Sequence, residues 1–417
     1  MQNSVAEIQG LYGPFSFPEK LLQQIWERRD FDTASATTAD GRGVTILHTG
    51  KWNLHGGPDF KNARLRIGGV DVAGDVEIHL RETDWQAHQH SADAAYANVV
   101  LHVVLFPPRQ VFTAGTIPVL TMLPLLRHDL EEYAADAAIE RLAGHPLARA
   151  HEALAAISPE ELPGALAVRA ERRWRQKVHY ARLRVGRLGW AGACHHSALE
   201  ILGYSANRSA MLAVAEAFPL GVWGRYSVEE IFAQTDAWAG QATRPANHPR
   251  TRLRQYAAWV AARPEWPEGL RGFPLPENAP RGGSVAACRR ALKIAALRKR
   301  IAAGVCADAL GGTRFDTLVT DGFLPLLAAG GGEGDGNGSY GSDGSYGSDG
   351  SVDGGVLFAL WKNWFAGDMP ELFPRLLRTL GVTGGREAPL HNGAAQGLLG
   401  FLIEAEAAGQ GRGGATA

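Results

Sequence analysis

The segment from Ala63 to Leu80 alternates apolar and polar residues on both sides of Gly68-Gly69. This period of two is typical of two β-strands joined by a tight turn, because side chains alternate between the two faces of a strand. The second strand would place Asp75, Glu77 and His79 on one face and apolar residues on the other. The pattern therefore predicts a sheet with one apolar face and one face that carries chemistry.

Asp59 follows Pro58, just before the first of these strands. Antiparallel pairing across the glycine turn brings the start of the first strand near the end of the second, so we expect Asp59 close to Glu77 and His79. Two carboxylates beside a third polar side chain suit a hard divalent cation, which takes oxygen ligands from acids, water and substrate phosphate.

The sequence Pro58-Asp59, followed at a distance by Glu77-Ile78-His79, resembles the core of the PD-(D/E)XK nucleases, with His79 where that superfamily usually has lysine. A helix containing Glu27, a strand at 44–47, the hairpin, a short helix after residue 91 and a strand at 99–106 follow its αβββαβ order. The resemblance implies an α+β protein whose N-terminal core has a mixed sheet.

The same resemblance implies cleavage of phosphodiester bonds in DNA or RNA, with catalytic roles for Asp59, Glu77 and His79. It implies a Mg²⁺ or Mn²⁺ ion bound by Asp59, Glu77 and Glu27. His79 would orient or deprotonate the attacking water, or stabilise the charge of the phosphate.

Most of the chain also resembles an uncharacterised bacterial family, domain of unknown function 2851, which brings no known activity. The matching residues are Gly57-Pro58-Asp59-Phe60, Gly74 to His79, Asp84-Trp85, His88-Gln89-His90, Asp93, Tyr96, Leu101-His102-Val103, Leu202-Gly203-Tyr204, Asn207, Arg244-Pro245 and Asn247-His248-Pro249.

Two other functions remain open. A zinc hydrolase or zinc-binding module would use His88 and His90 with His79, and Asp84 or Asp93, since imidazole and carboxylate suit Zn²⁺. Asp75 is a further candidate for this site or its surroundings. Alternatively, the chain is a non-catalytic module that binds nucleic acid or protein. It would have lost catalysis because His79 replaces the lysine of the nuclease superfamily. His102 lies in an otherwise apolar strand, so we expect a hydrogen-bonded core histidine rather than a ligand.

Beyond residue 125 the chain becomes rich in Ala, Leu, Arg and Glu at helical spacing. We therefore predict an α/β domain at 1–125, a helical domain at 126–329 and C-terminal helices at 356–417 that dock on it. Residues 330–355 are rich in Gly, Ser and Asp and repeat Ser-Tyr-Gly-Ser-Asp-Gly, which predicts a flexible linker.

A basic run at 167–187 contains eight Lys or Arg and one acid, although the whole chain has a net charge of −1. Two interpretations are open. Its side chains could follow a nucleic-acid backbone; the candidates are Arg172, Arg173, Arg175 and Lys177. Alternatively they are the solvated face of a helix whose apolar stripe is Trp174, Val178, Ala181 and Val185.

The N-terminus has no basic segment followed by an apolar one, and no stretch is long and apolar enough for a membrane span. We therefore expect a cytoplasmic protein with no membrane partner. Three separated cysteines without a CxxC pair predict neither disulfides nor a cysteine zinc site.

Overall fold

The computed structural model of the 417-residue chain describes residues 4–54, 56–88, 90–108, 117–144, 154, 156–239, 247–330 and 355–413. The chain divides into two compact units, Met1–Ala137 and Ala138–Ala417. A mixed sheet lies in the first unit and the second is helical, which confirms the predicted α+β class. The first unit continues past residue 125 because Leu130 and Tyr133 belong to its hydrophobic core.

The first unit contains these elements: strands β1 (Val5–Gly10), β2 (Gly13–Pro18), β3 (Val44–His48), β4 (Lys51–Trp52), β5 (Phe60–Ile67), β6 (Val70–His79), β7 (Val99–Val104) and β8 (Val119–Thr121), helices α1 (Glu19–Glu27) and α2 (Asp84–Ala87), and 3₁₀ turns His90–Ala92, Ala94–Tyr96 and Leu123–Leu125.

The main sheet has the order β3-β5-β6-β7-β8, with β4 paired to β5. Strands β3, β5 and β6 pair antiparallel, whereas β7 is parallel to both β6 and β8. The predicted hairpin is β5–β6, and both turn residues, Gly68 and Gly69, have positive φ, which glycine adopts without steric cost. Glu77 lies opposite His102 and His79 opposite Val104 in the β6–β7 register.

Helix α1 packs its apolar stripe against the sheet. Leu22, Ile25 and Trp26 are buried in the same core as the apolar face of β6, as expected for an amphipathic helix. Trp26 also donates a hydrogen bond from Nε1 to the carbonyl of Thr49 at 3.1 Å. This contact fixes the last turn of α1 to the segment that follows β3.

The second unit is built around a long helix, α4. Its helices, with α3 beginning at the end of the first unit, are α3 (Leu130–Gly144), α4 (Leu162–Ala217), α5 (Leu220–Trp223), α6 (Val228–Ala233), α7 (Pro249–Ala262), α8 (Trp266–Arg271), α9 (Val285–Ala291), α10 (Ile294–Gly304), α11 (Gly312–Thr317), a π-helical turn (Leu318–Phe323), α12 (Leu324–Gly330), α13 (Val356–Asn363), α14 (Leu372–Thr379) and α15 (Asn392–Gly413).

Helix α4 is interrupted by non-helical backbone at Gly189, Tyr204 and Asn207. Helix α15 packs along its N-terminal part, and Gly397 lies so close to the backbone of Leu166 that a Cβ atom would collide with it. Within the described residues, no helix has the length and apolarity that crossing a membrane requires. The predicted linker, from residue 331 to 354, and the Arg244-Pro245 motif lie outside the described residues.

Candidate metal centre

A cavity of about 470 Å³ opens in the first unit, between α1, the end of β6 and the segment that follows it. Most of its lining residues have polar side chains, and they come from distant parts of the sequence. The lining residues are Glu19, Lys20, Gln23, Trp52, Asn53, Leu54, Asp59, Glu77, His79, His88 and His90. The polar face of the hairpin therefore borders a space that can receive a ligand.

Three imidazoles converge on one side of this cavity. Nε2 of His79 lies 3.2 Å from Nδ1 of His88 and 3.3 Å from Nε2 of His90. Oε1 of Glu77 lies 3.4 Å from Nε2 of His79 and 3.2 Å from Nε2 of His90. The three imidazoles form a group with the spacing of metal ligands.

Several distances between these donor atoms match those between the ligands of a tetrahedral ion. Ligand atoms at the usual Zn–N distance from a tetrahedral zinc ion are about 3.3 Å from one another. Four of the six distances among these atoms, the three from Nε2 of His79 and the one between His90 and Glu77, lie between 3.2 and 3.4 Å. Three nitrogens and one carboxylate oxygen also form a donor set that suits Zn²⁺ and similar first-row cations.

His79 is held in position by His102 on the neighbouring strand. Its Nδ1 lies 2.9 Å from Nε2 of His102, and both side chains are buried. His102 is thus a hydrogen-bonded core histidine, as predicted. A proton on Nδ1 of His79, donated to His102, leaves Nε2 free for a cation, which is the usual arrangement behind a metal-binding histidine.

Burial keeps these imidazoles neutral. Desolvation, with smaller contributions from neighbouring histidines, lowers the pKa of His79 to about 2 and that of His102 to about 3. Burial also lowers the pKa of His90. Neutral imidazole is the form that binds metals, so His79 and His90 are available for coordination at physiological pH.

His90 is oriented by aromatic side chains. The ring of Tyr96 stacks on it with 3.8 Å between ring centroids, and the ring of Trp85 meets it edge-on at 5.3 Å. Trp85 is fixed in turn by a hydrogen bond from its Nε1 to Oγ of Ser91 at 3.0 Å. The segment after β6 therefore holds one imidazole rigidly although it contains only short helical turns.

The carboxylates of Asp59 and Glu77 are linked through backbone groups. Asp59 accepts hydrogen bonds from Nε2 of Gln23 at 2.9 Å and from the backbone N–H of Ile78 at 3.0 Å. Its own N–H donates to Oε2 of Glu77 at 3.0 Å. The other oxygen of Glu77, Oε1, points at His79 and His90. Asp59, Glu77 and His79 therefore lie close together, as the sequence predicted.

Glu19 adds a third buried carboxylate to the cavity. Its Oε2 is buried and has no hydrogen-bond partner among the described residues. Burial, together with the negative charges of Asp59 and Asp84, raises the pKa of Glu19 to about 8. Burial likewise raises the pKa of Asp59 and of Glu77, and the charge of Asp59 contributes to the increase for Glu77. The cavity therefore favours either protons or a cation.

The structure does not bring Glu27 to this cavity. Glu27 lies at the exposed C-terminal end of α1, eight residues after Glu19, which corresponds to about 12 Å along a helix. Glu19 and Gln23, one turn apart, face the cavity instead. Neither residue was predicted from the sequence, although their i, i+4 spacing on the polar face of α1 was a usable signal.

Three predicted acids do not line the cavity because each has a local partner. Asp75 accepts from Nζ of Lys61 at 3.2 Å and from the N–H of Asn62 at 3.0 Å, where β5 and β6 shift register. Asp84 accepts from the N–H of Arg81 at 2.9 Å, and Asp93 from the N–H of Ala95 at 2.9 Å. All three lie outside the lining of the cavity.

The basic run lies on α4, and its candidate side chains are engaged within the second unit. Arg172 contacts Glu404 at 3.2 Å and Arg173 donates to Gln396 at 3.1 Å. Arg175 pairs with Glu171 at 2.5 Å and Lys177 with Asp321 at 3.0 Å. The stripe of Trp174, Val178, Ala181 and Val185 packs in the core, as the interpretation as a solvated helix face predicts.

No curated protein matches the chain, and neither does any solved structure. A family model described as a protein of unknown function, DUF2851, matches residues 19–237, which are more than half of the chain. The matched range includes every residue that lines the cavity. The chain therefore belongs to the DUF2851 family.

Proposed function

We propose that the first unit is a metal-dependent hydrolase whose centre is formed by His79, His88, His90 and Glu77. The observation that carries the proposal is the group of three imidazole nitrogens, with the Glu77 carboxylate beside two of them at distances that suit zinc ligands. Its position on the wall of an open cavity supports catalysis, because substrate has access to the centre. Zn²⁺ fits this donor set better than Mg²⁺, which prefers oxygen ligands.

The residues of the chain supply the acid and base chemistry. A bound divalent cation would lower the pKa of water and polarise the bond to be cleaved. Glu19 has the unpartnered carboxylate oxygen, and a bound cation would oppose the burial that raises its pKa to about 8, which would leave it ionised and able to accept a proton near neutral pH. Gln23 and the N–H of Ile78 fix Asp59, and Asp59 fixes Glu77 through its own N–H.

We further propose that the scissile bond is a phosphodiester of DNA or RNA. The support is the order of elements, with α1 before three antiparallel strands and a fourth, parallel strand, as in the PD-(D/E)XK nucleases. Asp59 directly precedes β5 and contacts Glu77 on the adjacent strand β6, beside His79, as the resemblance implies. Glu19, Asp59 and Glu77 also offer the oxygen ligands that Mg²⁺ or Mn²⁺ would need.

The test is metal analysis of the purified full-length chain, followed by hydrolysis assays on single- and double-stranded DNA and RNA with Zn²⁺, Mn²⁺ or Mg²⁺. We expect about one zinc-class ion per chain. Separate His79→Ala, His88→Ala and His90→Ala substitutions should remove the ion and the hydrolysis. His48→Ala is the matched control because His48 is exposed on β3 and does not line the cavity.

A structural metal site is the second candidate, and the number of protein donors favours it. Four protein ligands close a tetrahedral site, whereas catalytic zinc usually keeps one position for water or substrate. Replacing the bound ion by Co²⁺ distinguishes a catalytic from a structural site. A visible spectrum that changes when azide is added indicates that the ion has an open coordination position. If azide does not change the spectrum and none of the four nucleic acids is hydrolysed, the catalytic proposal is overturned and the structural site remains.

A further inference from the structure

A second polar cluster lies in the second unit, where α4 is interrupted. Tyr204 has φ 55° and ψ −171°, which ends the helical path. Its hydroxyl donates to Oδ1 of Asn247 at 2.7 Å and accepts from Nη2 of Arg252 at 2.6 Å. The same Nη2 also donates to Oδ1 of Asn247 at 2.8 Å. The break in α4 therefore joins to the start of α7 through one tyrosine hydroxyl.

Two arginines converge on this tyrosine. The guanidinium carbon of Arg252 lies 5.4 Å from the centre of the Tyr204 ring, and that of Arg314 lies 3.1 Å from it. Arg252 is 8% exposed and Arg314 is 7% exposed, so both cations are more than nine-tenths buried. Burial of like charges so close together is unfavourable unless negative charge balances them.

The negative charge present is insufficient. Arg314 pairs with Asp368 at 2.6 Å and donates to the carbonyl of Ile201 at 2.8 Å. Arg252 donates from Nη1 to Gln255 at 2.9 Å but has no carboxylate partner in the described part of the chain. Burial lowers the pKa of Arg314 to about 10, and the charge of Arg252 acts in the same direction.

Both guanidiniums also keep an unused donor. Nε of Arg252 and Nε of Arg314 are buried and have no acceptor among the described residues. A buried N–H group without a partner is unfavourable, and a guanidinium offers a planar set of donors that matches the oxygens of phosphate. Tyr204 and Asn247 are only half-buried, so the cluster approaches the surface on their side.

We propose that Tyr204, Asn247, Arg252 and Arg314 form a binding site for a phosphate group. The phosphate supplies the negative charge that Arg252 lacks and the acceptor oxygens that the two Nε–H groups lack. Its source is either inorganic phosphate or the phosphate of a nucleotide. The site is separate from the metal centre and does not depend on the function proposed for it.

The experiment measures thermal unfolding of the full-length chain in chloride, inorganic phosphate or adenosine 5′-monophosphate at constant ionic strength. EDTA is present throughout, so that phosphate cannot be held by an ion at the histidine cluster. Binding to the folded state raises the melting temperature as the concentration exceeds Kd. We expect phosphate to raise it above the chloride value. Isothermal titration then tells which source binds more tightly.

Arg252→Gln should abolish the phosphate-specific increase in melting temperature, because Arg252 is the cation that has no carboxylate partner. Arg250→Gln is the matched control, since Arg250 is exposed on the same helix and stacks on Phe232 instead. If Arg252→Gln does not fold, Tyr204→Phe keeps the ring, removes the hydroxyl and should weaken binding at least tenfold. Equal melting temperatures in phosphate and chloride, or an increase that persists in these variants, would overturn the site and leave a purely structural network.

Discussion

At the scale of single residues, the main result is that Glu19, rather than Glu27, is the helix acid of the cavity. Glu19 is buried, has a free oxygen and lines the cavity, whereas Glu27 is exposed at the far end of the same helix. Glutamine preserves the shape of either side chain but cannot take a proton. The two positions therefore give a matched pair of variants on one helix.

We expect Glu19→Gln to lower the metal-dependent hydrolysis rate by about 10²–10⁴-fold, the usual contribution of a general base. Bound metal should remain near one ion per chain, because the three histidines and Glu77 are unchanged. Glu27→Gln should leave the rate within about twofold. Rate and metal content are measured on the same samples. Equal rates for both variants would contradict a catalytic role for Glu19.

At the scale of elements, the site depends on close contact between β6 and β7. A Cβ atom on Gly74 would come within 2.6 Å of the carbonyl oxygen of Asn98 and would also collide with Val100. The parallel pairing of the two strands begins at the next residue, Asp75, and its register shifts between Asp75 and Val76. The positions of Glu77 and His79 relative to His102 therefore depend on a residue with no side chain.

Gly74→Ala should destabilise the fold by about 1–3 kcal/mol, the usual cost of overpacking. It should also weaken metal binding, because it displaces β7 and with it the hydrogen bond between His79 and His102. Gly43→Ala is the control, since nothing lies within 4 Å of the position that its Cβ would take and its φ is not positive. Chemical denaturation and metal titration of both variants provide the measurements. Unchanged metal affinity in a destabilised Gly74→Ala protein would show that the centre does not need this contact.

The hairpin β5–β6 could be predicted from its alternation of apolar and polar residues, and strand β7 from a run of residues that is apolar on both faces. Both patterns are local in the sequence. Strand β8 has three residues, too few to show a period. The hairpin β1–β2 was not predicted, although apolar and polar residues alternate in part of β1. The convergence of His88 with His79 depends on short turns after β6, which no local pattern specifies. Asp75 bonds to Lys61 and Asn62 at a register shift between β5 and β6 and does not line the cavity. The alternation of side chains along a strand does not predict such a shift.

At the scale of the whole molecule, the buried carboxylates link stability to pH. The native pKa of Glu19 is about 8, above the ordinary glutamate value of 4.5, and the pKa values of Asp59 and Glu77 are also raised. The native state thus keeps protons that the unfolded state releases, and their stabilisation is lost as pH rises through the native pKa. His79 acts oppositely, but only below its unfolded pKa of about 6.5.

We therefore expect the free energy of unfolding of the metal-free chain to fall as pH rises from 7 to 9. The decrease should be about 1.4 kcal/mol per pH unit for each buried carboxyl group that is still protonated in the native state. A bound cation replaces those protons, so saturating Zn²⁺ should flatten the dependence. Denaturant unfolding with EDTA or Zn²⁺ at several pH values measures it. Glu19→Gln should reduce the slope of the metal-free protein. A metal-free protein whose stability is constant from pH 7 to 9 would contradict this account.

The contacts between the basic run of α4 and α15 have a consequence for salt. Glu404, at 2.8 Å from Arg169 and 3.2 Å from Arg172, acts as an internal counterion for that surface. Nucleic acid that approached it would first have to displace a carboxylate of the protein itself, and fewer condensed cations would leave the nucleic acid in exchange. Any affinity at this surface would consequently change less steeply with salt concentration than its number of arginines implies.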